Sequence, residues 1–599
     1  MNKSATAEAV VKEDLANLPV WDLTDLYESP DCRALTDDLA LCETEAKDLE
    51  SRCRGRLDEM SGDDLGQVLA DYERLQERLS RILSYAQLTY SSDMSDPAIG
   101  RFYQSMQERA TAISARLVFF TLELNLISDE AMAEKYRAPA LARFRPWIED
   151  QRIQRPHQLA EDLERLLHEK YVSGRAAWTR LFDETMAGLR FPFDGRDLTS
   201  AEILNLLSDS DAGKREAAAT SLGKVLGENS RLFALITNTL AKDKETEDTW
   251  RGFARPVSSR NLANLVEDEV VDALVSAVRD AYPRLAHRYY ALKARWFGVE
   301  KLPYWDRNAP LPEDVSKTLS WQTAQRSVLE AYGAFSPDMA AVGQRFFDHD
   351  WIDVPVRPGK APGAFAHPTV PSVHPYLLLN YQGRLRDVMT LAHELGHGVH
   401  QVLAGGQGYL LSNTPLTLAE TASVFGEMLT FQSLLKAESD PRQRKVMLAS
   451  KVEDMLNTVV RQISMHCFET KVHDERRSGE LLPERLGEIW LETQQESLGA
   501  AIKFDDNYRH YWSYIPHFVH VPFYVYAYAF GDCLVNSLYA VYESSREGFA
   551  EKYLDMLRAG GSKRHRELLA PFGLDATDPD FWKKGLDLTG RFIDELEAL

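Results

Sequence analysis

Cysteine is scarce in this sequence, with five residues in 599, at positions 32, 42, 53, 467 and 533. Their number is odd, their spacing is wide and no Cys-x-x-Cys pair occurs. That argues against a disulfide framework and a cysteine-built zinc site, and it fits a reducing compartment. Positive charge is in deficit. Lys and Arg total 69 against 91 Asp and Glu, a formal net charge of −22. The balance argues against a nucleic-acid or anionic-membrane surface. Long apolar runs are missing too, since none approaches the ~18 residues that cross a bilayer. Val521 to Phe530 is too short. The opening MNKSATAEAVVKEDLANLPVWDL lacks the apolar core of a secretory leader. A cytoplasmic location is expected, with no membrane and no nucleic-acid partner. Strand signal is also thin. Gly363–Val370 and Tyr376–Tyr381 are the best cases, and they are expected to pair as a small hairpin.

Most of what is present reads as amphipathic helix. Leu65, Val68, Leu69, Tyr72 and Leu75 recur at three- and four-residue steps, and Leu163, Leu166, Leu167 and Trp178 repeat the pattern. A chain of this length predicts roughly two to four folding units. Proline and glycine clusters mark breaks at 191–195, 301–312 and 355–375. The first precedes the helix-start signal Thr199-Ser200-Ala201-Glu202. It sets an expected boundary between an N-terminal helical domain, 1–195, and a larger domain, 196–599. The later clusters read as loops inside the second.

One segment carries chemistry: Asp387-Val-Met-Thr-Leu-Ala-His393-Glu394-Leu-Gly-His397-Gly-Val-His400. On a helix, residues four apart share a face, so His393 and His397 can reach one metal ion with Glu394 beside them. Chance gives roughly 0.03 H-E-x-x-H motifs in a chain of this composition. The extended form H-E-x-x-H-x-x-G-x-x-H is absent, because His400 and Leu403 stand where Gly and His would be. His400 is seven residues beyond His393, about 10.5 Å along a helix axis, too far to share an ion held at about 2 Å. It is expected to pack against the site. The third ligand must come from elsewhere. Downstream, Asn413-Thr414-Pro415 opens a helix expected to run through Glu420 and Glu427. Glu420 is a lone carboxylate among small and apolar residues, costly there unless paired or metal-bound. We expect it to be the third ligand, with Glu427 hydrogen-bonding a ligand histidine.

The run His393–His400, with Leu418-Ala-Glu420-Thr-Ala-Ser423 after it, resembles the M3 family of metallopeptidases, in particular its oligoendopeptidase F branch. Asn380-Tyr381-Gln-Gly, the aromatic segment Ile515-Pro-His517-Phe with Pro522-Phe-Tyr524-Val-Tyr526, and Trp21-Asp-Leu-Thr-Asp-Leu-Tyr27 are similar as well. The resemblance implies a mainly α fold of two helical lobes around a deep substrate channel, with a small β-sheet near a thermolysin-like H-E-x-x-H helix. It implies one Zn2+ per chain, held by His393, His397 and Glu420, with Glu394 as general base and short peptides as substrates. Tyrosine and histidine of the aromatic segment would contact substrate and oxyanion. His517 and Tyr524 are favoured as catalytic, His520 and Tyr526 as substrate contacts. An extended peptide is expected to pair with the strand at Gly363, Ala364 and Phe365. Two other readings compete. A zinc carboxypeptidase would need a cationic anchor such as Arg384, Arg386 or Lys360. A helical peptide-binding scaffold would hold a structural zinc, for which Glu394 has no use.

Overall fold

The computed structural model describes residues 17–171, 173–311 and 318–599. The opening stretch, read above as lacking a leader core, and the end of the 301–312 cluster lie largely or partly outside the described residues. The architecture is mainly helical with small sheets, as expected. The chain separates into two compact units, Met1–Arg155 with Ser316–Ala437 and Ser545–Gly573, and Pro156–Val315 with Glu438–Ser544 and Leu574–Leu599. All five cysteines are free thiols. Among the described residues no single helix is long and apolar enough to cross a membrane.

In the first unit, the helix Gly62–Ser92 starts where the Ser61 hydroxyl accepts the Asp64 amide. It buries Leu65, Leu69, Leu75, Leu79 and Ile82, the stripe its sequence period predicts. A three-stranded sheet follows. Tyr376–Tyr381 is central, with Ile352–Pro355 parallel on one side and Phe365–His367 antiparallel on the other. The expected pairing of the two later segments is present, with Ala366 opposite Leu377. The Ile352–Pro355 strand is an addition to it. The central strand is buried along Tyr376–Leu379, and it leads into the helix Leu385–Ala404. That helix packs against Thr421–Ala437, and the helices Trp321–Phe335 and Pro337–Asp348 cover it.

The second unit is built on the helices Ala212–Glu228, Ser230–Arg251, Val460–Arg476, Pro483–Leu498, Tyr526–Ser544 and Pro579–Ala598. Its break at 191–195 is a hairpin, Phe191–Phe193 against Arg196–Leu198. The turn takes Asp194 and Gly195 to φ 49° and 73°, the left-handed pair such a tight hairpin requires. Thr199 and Glu202 then form the capping box their spacing predicts.

Candidate metal centre

The Asp387 carboxylate accepts the backbone amides of Gln382 and Arg384, at 2.9 and 3.0 Å, satisfying donors at the entrance to the Leu385–Ala404 helix. Two turns on, His393 and His397 share a face, their ring centroids 5.0 Å apart and their planes at 82°. Both Nε2 atoms point at one oxygen. Glu420 Oε2 is 3.4 Å from His393 and 3.5 Å from His397. Two donors each about 2.05 Å from a tetrahedral ion stand about 3.3 Å apart, so the spacing fits a single zinc-sized ion. Three converging side chains leave a coordination position open, as catalytic rather than structural zinc sites do.

Glu420 does not sit inside a continuous helix, contrary to the expectation. One turn, Leu416–Ala419, ends at Glu420, and a new helix runs Thr421–Ala437. Local side chains make the break: the Thr421 hydroxyl bonds the Leu418 carbonyl at 2.6 Å, and Ser423 donates to the Glu420 carboxylate at 2.6 Å. Gly396 brings this junction close to the histidines. A Cβ there would lie 2.7 Å from Ser423 Cα.

Supporting contacts fix the donors. His393 Nδ1 lies 3.3 Å from Glu427 Oε2, the contact expected of Glu427. The Ala419 carbonyl favours the charged forms of His397 and His400, against their burial. His400 is buried and bonds the Thr414 hydroxyl at 3.2 Å. Burial pushes its pKa down to about 4. Burial opposes charge on His393, but Glu427, Glu420 and Glu394 outweigh it and raise its pKa to about 9. His397 is pushed down by burial. Glu394 is 7% exposed. Burial raises its pKa to about 7, partly offset by His393 and by the backbone amide of Ala366 in the sheet. A cavity of about 680 Å³ adjoins His397, lined by Ser84, His367, Gln401 and Thr414 among others, with no carboxylate on its wall among the described residues.

The family model for Peptidase family M3 matches residues 205–588, and that for Oligopeptidase F matches 123–191. The chain belongs to peptidase family M3. It is therefore a metallo-endopeptidase, an enzyme built around a metal. Oligopeptidase PepF of Bacillus subtilis is 27% identical over 92% of this chain and 83% of its own length. An oligoendopeptidase F homolog of Lactococcus lactis is 25% identical over 98% of both chains. The crystal structure of a putative peptidase from Chlamydophila abortus superposes with a TM-score of 0.85 at 22% identity, covering 97% of this chain and 98% of the other. Oligoendopeptidase-F from Enterococcus faecium gives 0.71 at 24% identity, covering 94% and 98%. These two likenesses are of fold.

The aromatic segment of this M3 peptidase lies in the second unit. His517 stacks on Tyr524, centroids 6.0 Å apart, and its Nε2 is 3.2 Å from the Tyr528 hydroxyl. All three rings are half-buried. His520 is exposed and bonds Asp183 at 2.8 Å. Tyr526 is fully buried, its hydroxyl accepting from Asn264 at 2.9 Å. In the first unit, Gly363 is exposed and Ala364 and Phe365 are half-buried. Asn380 donates to the carbonyls of Ala361 and Gly363, at 3.0 and 2.8 Å, tying that loop to the central strand. Tyr332 donates to the Ala392 carbonyl at 2.6 Å, fixing the histidine helix from behind. Neither role is legible in the sequence. Asn380 stood in a quoted motif, but only the fold brings the loop to it. Of the cations weighed as a carboxypeptidase anchor, Lys360 is buried and bonded to Asp353, Pro355 and Leu379. Arg386 is seven residues before His393, about 10 Å along the axis.

Proposed function

We propose that this M3 peptidase is a zinc-dependent oligoendopeptidase that hydrolyses internal bonds of short peptides in the cytoplasm. One observation carries the reading: His393, His397 and Glu420 offer donors within 4.8 Å of one another, with the buried Glu394 in the same helical turn. The two histidine nitrogens and the Glu420 carboxylate would hold one Zn2+. When bound, zinc supplies a Lewis acid that polarises a peptide carbonyl and acidifies water. Glu394, steered by the Ala366 amide, takes the proton of the attacking water and returns it to the leaving amine. Glu427 and the Ala419 carbonyl keep the imidazoles oriented. The Tyr524 hydroxyl and His517 are donors for the oxyanion, and the segment Gly363–Phe365 offers backbone to an extended peptide. The five free thiols support a reducing compartment. The two family matches fall on either side of residue 195 and support a division there into N-terminal and catalytic domains.

The test is Glu394→Gln assayed on an end-blocked peptide mixture by mass spectrometry. We expect stoichiometric zinc and no internal cleavage, while the wild-type enzyme loses activity to a chelator and regains it with zinc. Normal turnover by the variant would sink the mechanism. A wild-type enzyme that leaves the blocked peptides intact but trims unblocked ones from their C-termini would shift the activity to a carboxypeptidase.

A further inference from the structure

Phe523 has a backbone φ of 60°, a left-handed conformation that a bulky side chain seldom adopts. Such strain persists only where the surroundings impose it, and it clusters at functional sites. Here the surroundings are specific. Phe523 is fully buried, its ring 4.9 Å from that of His473 and 5.8 Å from that of His466. Its amide donates to Glu469 Oε1 at 2.8 Å. Glu469 lies on the Val460–Arg476 helix and is 2% exposed, and its Oε2 has no hydrogen-bond partner among the described residues. From the other side, Arg260 Nε donates to the Pro522 carbonyl at 3.3 Å. Immediately after Phe523 comes Tyr524, which contacts His517 and Tyr528.

A carboxyl group buried with one oxygen unpaired is expensive in a core. Burial pushes its pKa up to about 8, against the Phe523 amide, Arg260 and Lys244. Among the described residues, the group hydrogen-bonded to it is the amide of the strained residue. Without that acceptor the amide is orphaned, and Phe523 gains by returning to negative φ. That rotation re-aims the residue that follows. We propose that Glu469 is a positioning residue for the peptidase reaction: it holds the Pro522–Phe523 turn in its strained form and so sets the direction of the Tyr524 ring. The proposal rests on the reading of Tyr524 as an oxyanion donor.

The experiment measures kcat, KM, bound metal and Tm on an end-blocked peptide for Glu469→Ala, Glu469→Gln, Tyr524→Phe and the double variant Glu469→Ala/Tyr524→Phe. Glu469→Ala is expected to lower kcat about tenfold or more, with KM and metal content near wild type. Glu469→Gln keeps an acceptor oxygen and should recover most of the loss. The double variant should be no slower than Tyr524→Phe alone, because both changes remove one donor. Should Glu469→Ala not fold, Arg260→Gln loosens the same turn from a half-buried position, and the same kcat signature is expected of it. A lower Tm with unchanged kcat, or losses that multiply in the double variant, would overturn the proposal. Wild-type kcat in Tyr524→Phe would instead remove the oxyanion reading on which it stands.

Discussion

At the scale of single residues, the metal centre depends on groups that would never touch the ion. Glu427 is the clearest. Its Oε2 faces His393 Nδ1 at 3.3 Å, so it sets which nitrogen of that ring is free for a metal. Outer partners of this kind typically carry a factor of about 10–100 in metal affinity. Glu427→Ala is therefore expected to weaken zinc by about that factor, read by competition with a chromophoric chelator, while Tm in saturating zinc changes little. Affinity equal to wild type would make the contact incidental. The sequence offered Glu427 on its spacing from Glu420 alone. The same argument had no hold on the Ala366 amide or the Ala419 carbonyl. Backbone groups carry no residue signature, and only the fold delivers them to Glu394 and the imidazoles.

At the scale of elements, what was legible and what was not divides along the range of the forces involved. The Leu385–Ala404 helix follows from local periodicity and the Asp387 cap. The break at Glu420 does not, because it depends on Thr421 and Ser423 closing back on the chain, a choice that residues of weak helix preference leave open. Strand Ile352–Pro355 is not legible in the sequence because a run of four residues, three of them buried, has no room to show a period. Apolar Val521–Phe530 resembles one segment, yet its helix begins only at Tyr526, after Pro522 and the left-handed Phe523. Helix contact itself can be tested. In Gly396→Ala the new methyl meets Ser423 Cα and the Ala422 carbonyl, backbone atoms that cannot turn aside. The Glu420 junction must then move away from the histidines. We expect about 1–3 kcal/mol of destabilisation and a parallel loss of zinc. Gly406→Ala, whose methyl would meet open space, is the control and should lose neither. Full metal content and wild-type Tm in Gly396→Ala would mean that the helices do not set the ligand geometry.

At the scale of the whole molecule, buried ionisable groups set how stability follows pH. Burial pushes His367, His466 and His473 down to about 4, 4 and 3. Their unfolded value is about 6.5. Below that pH the unfolded chain binds protons that the folded chain refuses, so these residues contribute stability above pH 6.5 and lose it as pH falls toward 4. Glu469 and Asp150 have the opposite sign. Burial raises them to about 8 and about 6, so their contribution is present at low pH and is lost as pH rises through those values. Between pH 4.5 and 6 these histidines, with His400 as a fourth, outnumber the two acids, and stability rises with pH. Above 6.5 only Glu469 still titrates among these groups, and the slope reverses until about pH 8. The zinc-loaded enzyme should therefore be most stable near pH 6.5, as read by urea unfolding at pH 5, 6.5 and 8. Glu469→Gln cannot ionise, so it should remove the decline between 6.5 and 8 and steepen the rise on the acid side. His466→Gln should make the acid side shallower and leave the decline. A wild-type stability that climbs steadily to pH 8 would show that Glu469 is already charged in the fold, with a cation close enough to hold it so.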